Sequence, residues 1–479
     1  MSSEKQDFSP ASVSRRQWVG AAGGAAVSLV GARRQRPNVL IVLADQYPAY
    51  ATGYAGDPFA HTPNLDRLAR NGARFVNAVS NCPVCTPYRS MLQTGRWPLS
   101  TGMIANDVRL PEREHTLGEA FRDAGYQTAY IGKWHLDGPE RWGFTPPGPR
   151  RQGYGLWAAN NCNHNYTNTY YYRDTPERIP VTSYEPIVQT GLFREFLAGR
   201  DRGKPFLAFL SWGPPHPPYR QIPDRLRLFR PDQMRPRPNM QEPNRAFLAD
   251  FYSHIAALDT ELGRLLQSLA EERIDEDTIV LFTSDHGDML GSHGRWDKQI
   301  WYEESVNVPF VLRYPRRVRP GARLETIVNA VDVMPTLLSL AGLAIPKGVV
   351  GRDLSAVFEG KQAGEETALI AGYMPFARQA FQYPEWRGVR SMSHTYVESR
   401  TGPLELYDNR RDPFQLENLA NHPNRAGIQS RLAGELKRWL ARTGDRFEPR
   451  QAYWKSYSLD IGEYGEVRYT SREVSPMAK

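Results

Sequence analysis

The sequence predicts an α/β fold: a large mixed, mainly parallel sheet flanked by helices, with a smaller C-terminal α+β subdomain. Three observations carry this. Five short apolar runs rich in β-branched and aromatic residues recur up to residue 314, each suited to a strand buried on both faces. Helical periodicity fills the stretches between them, and alternating strands and helices build a doubly wound sheet. Beyond about residue 360 the texture changes to short β pieces, turns and a single helix.

The elements follow in order. Residues 14–20 read SRRQWVG and run into AAGGAAVSLVGA, a twin arginine, a short apolar stretch and a small-residue end at Val30-Gly31-Ala32. That predicts a twin-arginine export signal over 1–32 and an exported protein, periplasmic or extracellular. No later run approaches 18 apolar residues, so no transmembrane span is expected in the mature protein. NVLIVLA (38–44) is the first strand, followed by TAYIG (128–132), PFLAFLS (205–211), DTIVLFTS (277–284) and VPFVLRY (308–314). In TLGEAFRDAGY (116–126), Thr116 with Glu119 three residues on matches a capping box. Phe251, Ile255, Leu258, Leu262, Leu265 and Leu269 alternate steps of four and three, the stripe of a long helix packed on a sheet. DVMPTLLSLAG (332–342) predicts another helix ended by glycine. The stretches 138–180 and 213–243, crowded with Gly, Asn, Tyr, Pro and Arg, read as long surface loops. VRSMSHTYVES (389–399), the turn-rich 406–420 and a helix around 426–442 form the small subdomain. The expected division is 33–360 for the catalytic domain, 361–455 for the subdomain and 456–479 for a tail.

With 479 residues, 40% hydrophobic and 23% charged, the chain is an ordinary folded protein. Its net charge of +8 invites a nucleic-acid reading, but six basic against two acidic residues before position 37 supply half of it. No basic run recurs beside spaced aromatics, which excludes a nucleic-acid partner and favours a small anionic ligand.

In open parallel sheets, ligands bind where the carboxyl ends of the strands open. Polar groups collect there. Asp45-Gln46 follows the first strand, Lys133 and His135 the second, and His216 the third; Asp285-His286 ends the fourth, with Lys298 a little further on. Each alone reads as a turn, a cap or a solvated side chain. Independent turns have no reason to place this mixture of metal-binding and anion-binding groups at one edge.

Residues 81–96, NCPVCTPYRSMLQTGR, hold two of the three cysteines. A thioredoxin-like pair would open a helix in a small βαβ fold, and Thr-Pro-Tyr-Arg is not its continuation. Zinc would need a second ligand pair that Cys162 alone does not supply. Cys85-Thr86-Pro87-Tyr88-Arg89, with Thr94-Gly95-Arg96 downstream, resembles instead the Cys-x-Pro-x-Arg signature of the type I, formylglycine-dependent sulfatases of the alkaline phosphatase-like superfamily. The chain is similar to that family also at Asp45, Gly132-Lys133-Trp134-His135, Pro215-His216-Pro217, Thr283 to Asp288 and Trp296-Asp297-Lys298, in order from about residue 37 to 420. It departs at Tyr88, where Ser or Ala is commonest, and at Gln46 and His286, which replace the Asp and Asn of many relatives.

The resemblance implies that a maturation enzyme oxidises Cys85 to Cα-formylglycine, whose hydrate attacks sulfur. It implies that Asp285 helps deprotonate the attacking hydroxyl, His135 assists elimination of sulfate and His216 protonates the leaving oxygen. Arg89, Lys133 and Lys298 would hold the diol and sulfate oxygens. Asp45, Gln46, Cys85, Asp285 and His286 would form the metal site, whose hard oxygens suit Ca²⁺ first and Mg²⁺ second. The expected substrate is a sulfated carbohydrate, on the strength of the loop NNCNHNYTNTYYY (160–172), of Trp134, Trp157 and Trp212 near the expected mouth, and of the basic loop residues Arg150, Arg151 and Arg220. Two readings compete: a phosphonate monoester or phosphodiester hydrolase of the same superfamily, and a non-catalytic sulfated-glycan binder.

Overall fold

Asn38–Asp45 (β1) is buried along its whole length after the first residue, as a continuous apolar run at the centre of a sheet must be. The structure, a computed structural model, describes residues 36–361, 366–374, 383–462 and 467–468. The expected export signal at 1–32 lies outside them, as do residues 463–466 and 469–479 of the expected tail. After β1 come α1 (Pro63–Asn71), β2 (Ala73–Val79), α2 (Cys85–Thr94), α3 (Pro98–Thr101), α4 (Leu117–Asp123), β3 (Gln127–Lys133) and β4 (Leu156–Asn160). The hairpin β5 (Thr169–Tyr171) and β6 (Ile179–Val181) leads to α5 (Glu185–Gly199), β7 (Phe206–Pro215), α6 (Arg245–Glu271) and β8 (Thr278–Ser284). Then follow α7 (Glu303–Val306), β9 (Phe310–Arg313), β10 (Ala322–Asn329) and α8 (Val333–Leu340).

Eight strands make one sheet in the order β10-β2-β9-β8-β1-β7-β3-β4. Only β9 runs against its neighbours; the other pairs are parallel. The period of two along β1 divides its side chains between the faces. Val39, Ile41 and Leu43 join one core with the helix carrying Cys85, and Leu40, Val42 and Ala44 join the other with α5 and α6. All six apolar residues of the predicted α6 stripe are buried, none more than 1% exposed, and Asn244 caps that helix by accepting from the Phe247 N–H. The helix α8 stops where the sequence places its glycine: Gly342 takes φ +70°, and the Leu343 N–H reaches back to the Leu338 carbonyl.

A second sheet, β11 (Thr367–Gly372), β12 (Trp386–Ser391), β13 (His394–Ser399) and β14 (Gly402–Asp408), is antiparallel in sequence order. With α9 (Ala426–Thr443) and α10 (Arg450–Ser456) it forms the smaller C-terminal part of one compact unit that begins at Arg36.

The structure departs from the sequence reading at three points. The strands β2, β4 and β10 have polar residues among their apolar ones, so local pattern did not mark them; pairing with neighbours makes them strands. The segment 138–180 is therefore no simple surface loop: it supplies β4 at the edge of the main sheet, and Asn160 to Asn163 are buried. Trp134, Trp157 and Trp212 do not line a mouth. Trp134 and Trp157 pack edge-on at 5.4 Å in one core, while Trp212 lies against Phe282 in the other.

The capping box at α4 is fully formed. Thr116 Oγ1 accepts from the Glu119 N–H, Glu119 Oε2 accepts from the Thr116 N–H at 3.1 Å, and Thr116 Oγ1 donates to the Gln152 carbonyl at 3.0 Å. Thr116→Ala is expected to cost about 1–2 kcal/mol, lowering the thermal midpoint, whereas Thr116→Ser should stay near wild type. Equal melting of all three proteins would refute this.

Candidate active site

Cys85 is the first residue of α2, and Arg89 stands one turn on, so the four-residue spacing sets both on the helix face that meets the carboxyl ends of β1, β3 and β8. Those strands end in Asp45, Lys133 and Ser284, and the residues beyond turn sharply. Gln46 at φ +65°, His135 at +55°, Asp297 at +64° and Gln299 at +73° all occupy the left-handed region that side chains normally avoid.

Asp45, Cys85, Arg89, Lys133, Asp285 and His286 form one cluster, each at most 3% exposed. Arg89 bridges the carboxylates, with Nη2 3.2 Å from Asp45 Oδ2 and Nε 3.1 Å from Asp285 Oδ2; Nη1 donates to Ser211 Oγ and the Lys133 carbonyl. Lys133 Nζ lies 2.5 Å from Asp45 Oδ2 and 3.8 Å from Cys85 Sγ. Asp285 Oδ1 accepts from the backbone N–H groups of Gln46 and His286.

Ligand atoms of Asp45, Cys85, Asp285 and His286 all lie within 4.8 Å of one another. His286 Nδ1 contacts the Gly287 carbonyl at 3.1 Å and so carries the proton, which turns the lone pair of Nε2 toward the cluster, 3.2 Å from Cys85 Sγ. Gln46 is oriented in the same sense. Its Nε2 donates to Asp288 Oδ2 at 2.8 Å, leaving Oε1 to accept from Lys298 Nζ at 2.7 Å. Against burial, Asp285 and Cys85 raise His286, and with Nε2 deprotonated two carboxylates, an amide oxygen and a ring nitrogen suit a hard divalent cation.

The remaining expected residues stand at the rim of this cluster. Lys298 Nζ also contacts His216 Nε2 at 2.7 Å. His135 Nε2 sits 2.9 Å from Asp107 Oδ1, and its buried Nδ1 has no hydrogen-bond partner among the described residues. The structure thus brings together every sequence-predicted site residue. It adds Asp107, Cys162, His164, Ser211 and Tyr219, none of which belongs to a motif, and Asp288, the last residue of the Thr283 to Asp288 stretch. Cys82 and Cys162 are both free thiols. Cys162 lies beside His164 and raises His135, whereas Cys82 faces Arg387 and Tyr373.

The electrostatics are uneven. Burial alone would raise the Asp45 carboxyl, but Lys133, His216, Arg89 and His286 hold it well below the usual range. Burial and the Asp45 charge push Asp285 up. Burial, Lys298 and His164 depress His216 well below an ordinary histidine. Burial opposes protonation of His135, yet Cys162 and the Asp107 hydrogen bond bring it to about 10. Burial lifts Asp288 to about 7 despite hydrogen bonds from Tyr219 and Gln46.

Behind Asp288 the support is a buried chain of hydrogen bonds. Tyr219 Oη donates to Asp288 Oδ2, and the Tyr219 carbonyl accepts from Nε2 of His254, whose Nδ1 accepts from Tyr184 Oη. Burial lowers His254 from 6.5 to about 3. The unfolded chain takes up this proton near the ordinary value and the fold only near 3, so stability present above the ordinary value is lost as pH falls through that window. The melting temperature of wild type should therefore fall more steeply with acid there than that of His254→Gln; parallel curves would contradict it.

The basic residues expected to meet a polyanion are mostly engaged. Arg150 is paired with Asp137 and Arg151 with Asp174, because a guanidinium drawn under a loop needs a partner; Arg220 remains exposed over the Phe247 ring. Tyr172 is buried, and Tyr170 lies under the Arg178 guanidinium.

Comparison with known proteins matches a family model described as "Sulfatase" over residues 37–343, and one described as "N-sulphoglucosamine sulphohydrolase, C-terminal" over 291–442. The chain is 37% identical to an "Ulvan-active sulfatase" of Formosa agariphila over 89% of its own length and 86% of the relative's. It is 29% identical to an "Endo-4-O-sulfatase" of Bacteroides thetaiotaomicron over 85% and 93%. A solved structure of the sulfatase yidJ from Bacteroides fragilis superposes with a TM-score of 0.78 at 29% identity, covering 87% of this chain and 97% of that one.

Proposed function

This chain belongs to the sulfatase family, and from that premise we propose that it removes sulfate from a sulfated carbohydrate, using a formylglycine made from Cys85 and a divalent cation held beside it. One observation carries the chemistry: a buried helix-starting cysteine faces Lys133, Arg89 and a set of hard metal ligands at one sheet edge. The carbohydrate follows from the ulvan-active relative.

Cys85 Sγ stands in for the formylglycine oxygens. As a hydrated aldehyde, that residue supplies a geminal diol, one hydroxyl of which attacks sulfur while the other lets sulfate be expelled. Asp45, Gln46, Asp285 and His286, with the residue at 85, would hold Ca²⁺, or Mg²⁺ as second choice; such an ion supplies Lewis-acid polarisation of the sulfate oxygens. Asp285, raised by burial, accepts the proton of the attacking hydroxyl. Arg89 keeps Asp285 and Asp45 oriented, and Lys133 and Lys298 meet the charge that grows on the sulfate oxygens. His135, held by Asp107 Oδ1 at 2.9 Å, would assist the step in which sulfate is expelled.

The leaving oxygen falls to His216. Its Nδ1 lies 2.6 Å from the Pro217 carbonyl, which can only accept, so that nitrogen carries the proton and Nε2 accepts from Lys298. Lys298 keeps its charge for the sulfate oxygens, and a proton taken up from solvent at Nε2 and given on to the leaving oxygen makes the depressed His216 a strong acid at the moment it is needed.

The same reading assigns 33–360 to catalysis and 361–455 to a subdomain, requires a formylglycine-generating maturation enzyme, and keeps residues 1–32 as a twin-arginine export signal. No helix among the described residues is long and apolar enough to cross a membrane. The test is sulfate release across defined sulfated mono- and oligosaccharides, an aryl sulfate and a phosphodiester. At least one sugar sulfate should be cleaved faster than the aryl sulfate and by orders of magnitude faster than the phosphodiester. A phosphodiester turned over best would favour the phosphohydrolase reading, and an aryl sulfate best across the panel would remove the carbohydrate.

A further inference from the structure

His164 belongs to none of the motifs, yet it stands against two of the groups assigned to catalysis. Its position follows from the sheet. Lys133 pairs with Asn160 at the ends of β3 and β4, and the pairing continues past both strands, the Trp134 N–H donating to the Asn160 carbonyl and the His135 N–H to that of Asn161. The chain that leaves β4 is therefore laid beside Lys133 and His135. Asn163 Oδ1 accepts from the Asn165 N–H, a local turn that brings His164 over the cleft.

There the His164 and His216 rings stack at 4.1 Å and 20° between planes, and Lys133 Nζ lies 3.4 Å from His164 Nε2. An ammonium only donates, so His164 Nε2 accepts. Two Lys–His pairs thus face each other across the sulfate cleft, Lys133 with His164 and Lys298 with His216, joined by their stacked rings. The joint is built on both sides. Tyr166, fully buried, donates its Oη to the His216 carbonyl at 2.8 Å, and its N–H donates to Gln221 Oε1 in the loop that follows His216.

We propose that His164 is a positioning residue: its ring fixes the plane in which His216 presents Nε2 to the leaving oxygen. The need is geometric. The terminal torsion of a histidine is broad, and once the leaving oxygen takes the place of Lys298 Nζ at Nε2, the hydrogen bond from Nδ1 to the Pro217 carbonyl alone leaves His216 free to rock about that contact. A flat ring at 4.1 Å removes the rocking. This inference rests on the assignment of His216 as the proton donor to the leaving oxygen.

The experiment compares His164→Ala, His164→Phe and His216→Ala on 4-nitrophenyl sulfate, whose phenolate leaves readily, and phenyl sulfate, whose leaving oxygen needs a proton. His164→Ala should lose at least ~10-fold more kcat on phenyl than on 4-nitrophenyl sulfate. His164→Phe keeps a flat ring without Nε2 and should recover most of the phenyl sulfate loss. His216→Ala should show the same dependence on the leaving group. Should it fall equally on both esters, the proton-donor assignment itself fails. A graded loss in His216→Ala with an equal loss in His164→Ala, or no recovery in His164→Phe, overturns the role of His164 alone. Nitrogen NMR of labelled histidine side chains needs no turnover: wild type and His164→Phe should show His216 as one tautomer protonated at Nδ1, and His164→Ala a mixture. A single unchanged tautomer in His164→Ala overturns the inference as well.

Discussion

Cys85→Ala is expected to turn over sulfate esters at about 10⁻⁴ of the wild-type rate or less, since removing the nucleophile from an otherwise intact site leaves only binding and electrostatic assistance. The fold should persist. Cys85 begins a helix whose other residues are buried, alanine is a good helix former, and the removed sulfur takes with it contacts to polar side chains alone, 3.8 Å to Asp45 Oδ1 and Lys133 Nζ and 3.2 Å to His286 Nε2. Peptide mass spectrometry of active wild type should show residue 85 without its sulfur while Cys82, three residues before α2, keeps its thiol. The two thiols are chemically distinct: burial pushes Cys82 up to about 12, whereas at Cys85 burial and Asp45 are outweighed by Lys133, Lys298 and His286. An active preparation carrying only thiol at position 85 would end the formylglycine assignment, as would a Cys85→Ala enzyme retaining more than a few per cent of activity.

Removing the divalent cation should have the second largest effect. Exhaustive chelation is expected to abolish activity and lower the thermal midpoint, because an ion bound at a hundred times its Kd stabilises the fold by about 2.7 kcal/mol. Elemental analysis should find about one Ca²⁺ per chain before chelation, the expectation for a single hard-oxygen site. Asp45→Asn should mimic chelation in both readouts. It weakens a ligand, and it leaves Arg89 and Lys133 facing an amide where each now pairs with a carboxylate. Full activity in a metal-free protein would refute the cation. Tightly held zinc required for turnover would point to the phosphohydrolase reading.

Much of the fold was legible in the sequence because its central elements are buried on one or two faces along their whole length. The strand β1 and the stripe of α6 are continuous or strictly periodic for that reason, and burial is what the pattern records. The edge and near-edge strands were not legible. In β10 exposed and half-buried residues alternate over the first five positions, and β2 carries Arg74 and Asn77, so only their ladders define them. Trp134 shows the same limit at one residue: lying between Lys133 and His135, it points away from the site into the core, a side chosen by the strand end and not by residue type.

The sequence by itself marked, through its family resemblance, Cys85 as the candidate nucleophile, and its spacing placed an arginine one helical turn away and carboxylates, lysines and histidines after the strand ends. Local spacing is enough for these, since helix period and strand termination are properties of a few neighbouring residues. Only the tertiary structure decided how those groups are turned and supported. The Gly287 carbonyl fixes the His286 tautomer, Asp288 orients the Gln46 amide, Asp107 holds His135, and His164 comes to stack on His216 from a segment 52 positions earlier in the chain. Each of these contacts joins a strand end to a loop or turn whose course depends on the packing of the whole sheet, and no local pattern of residues encodes where such loops meet.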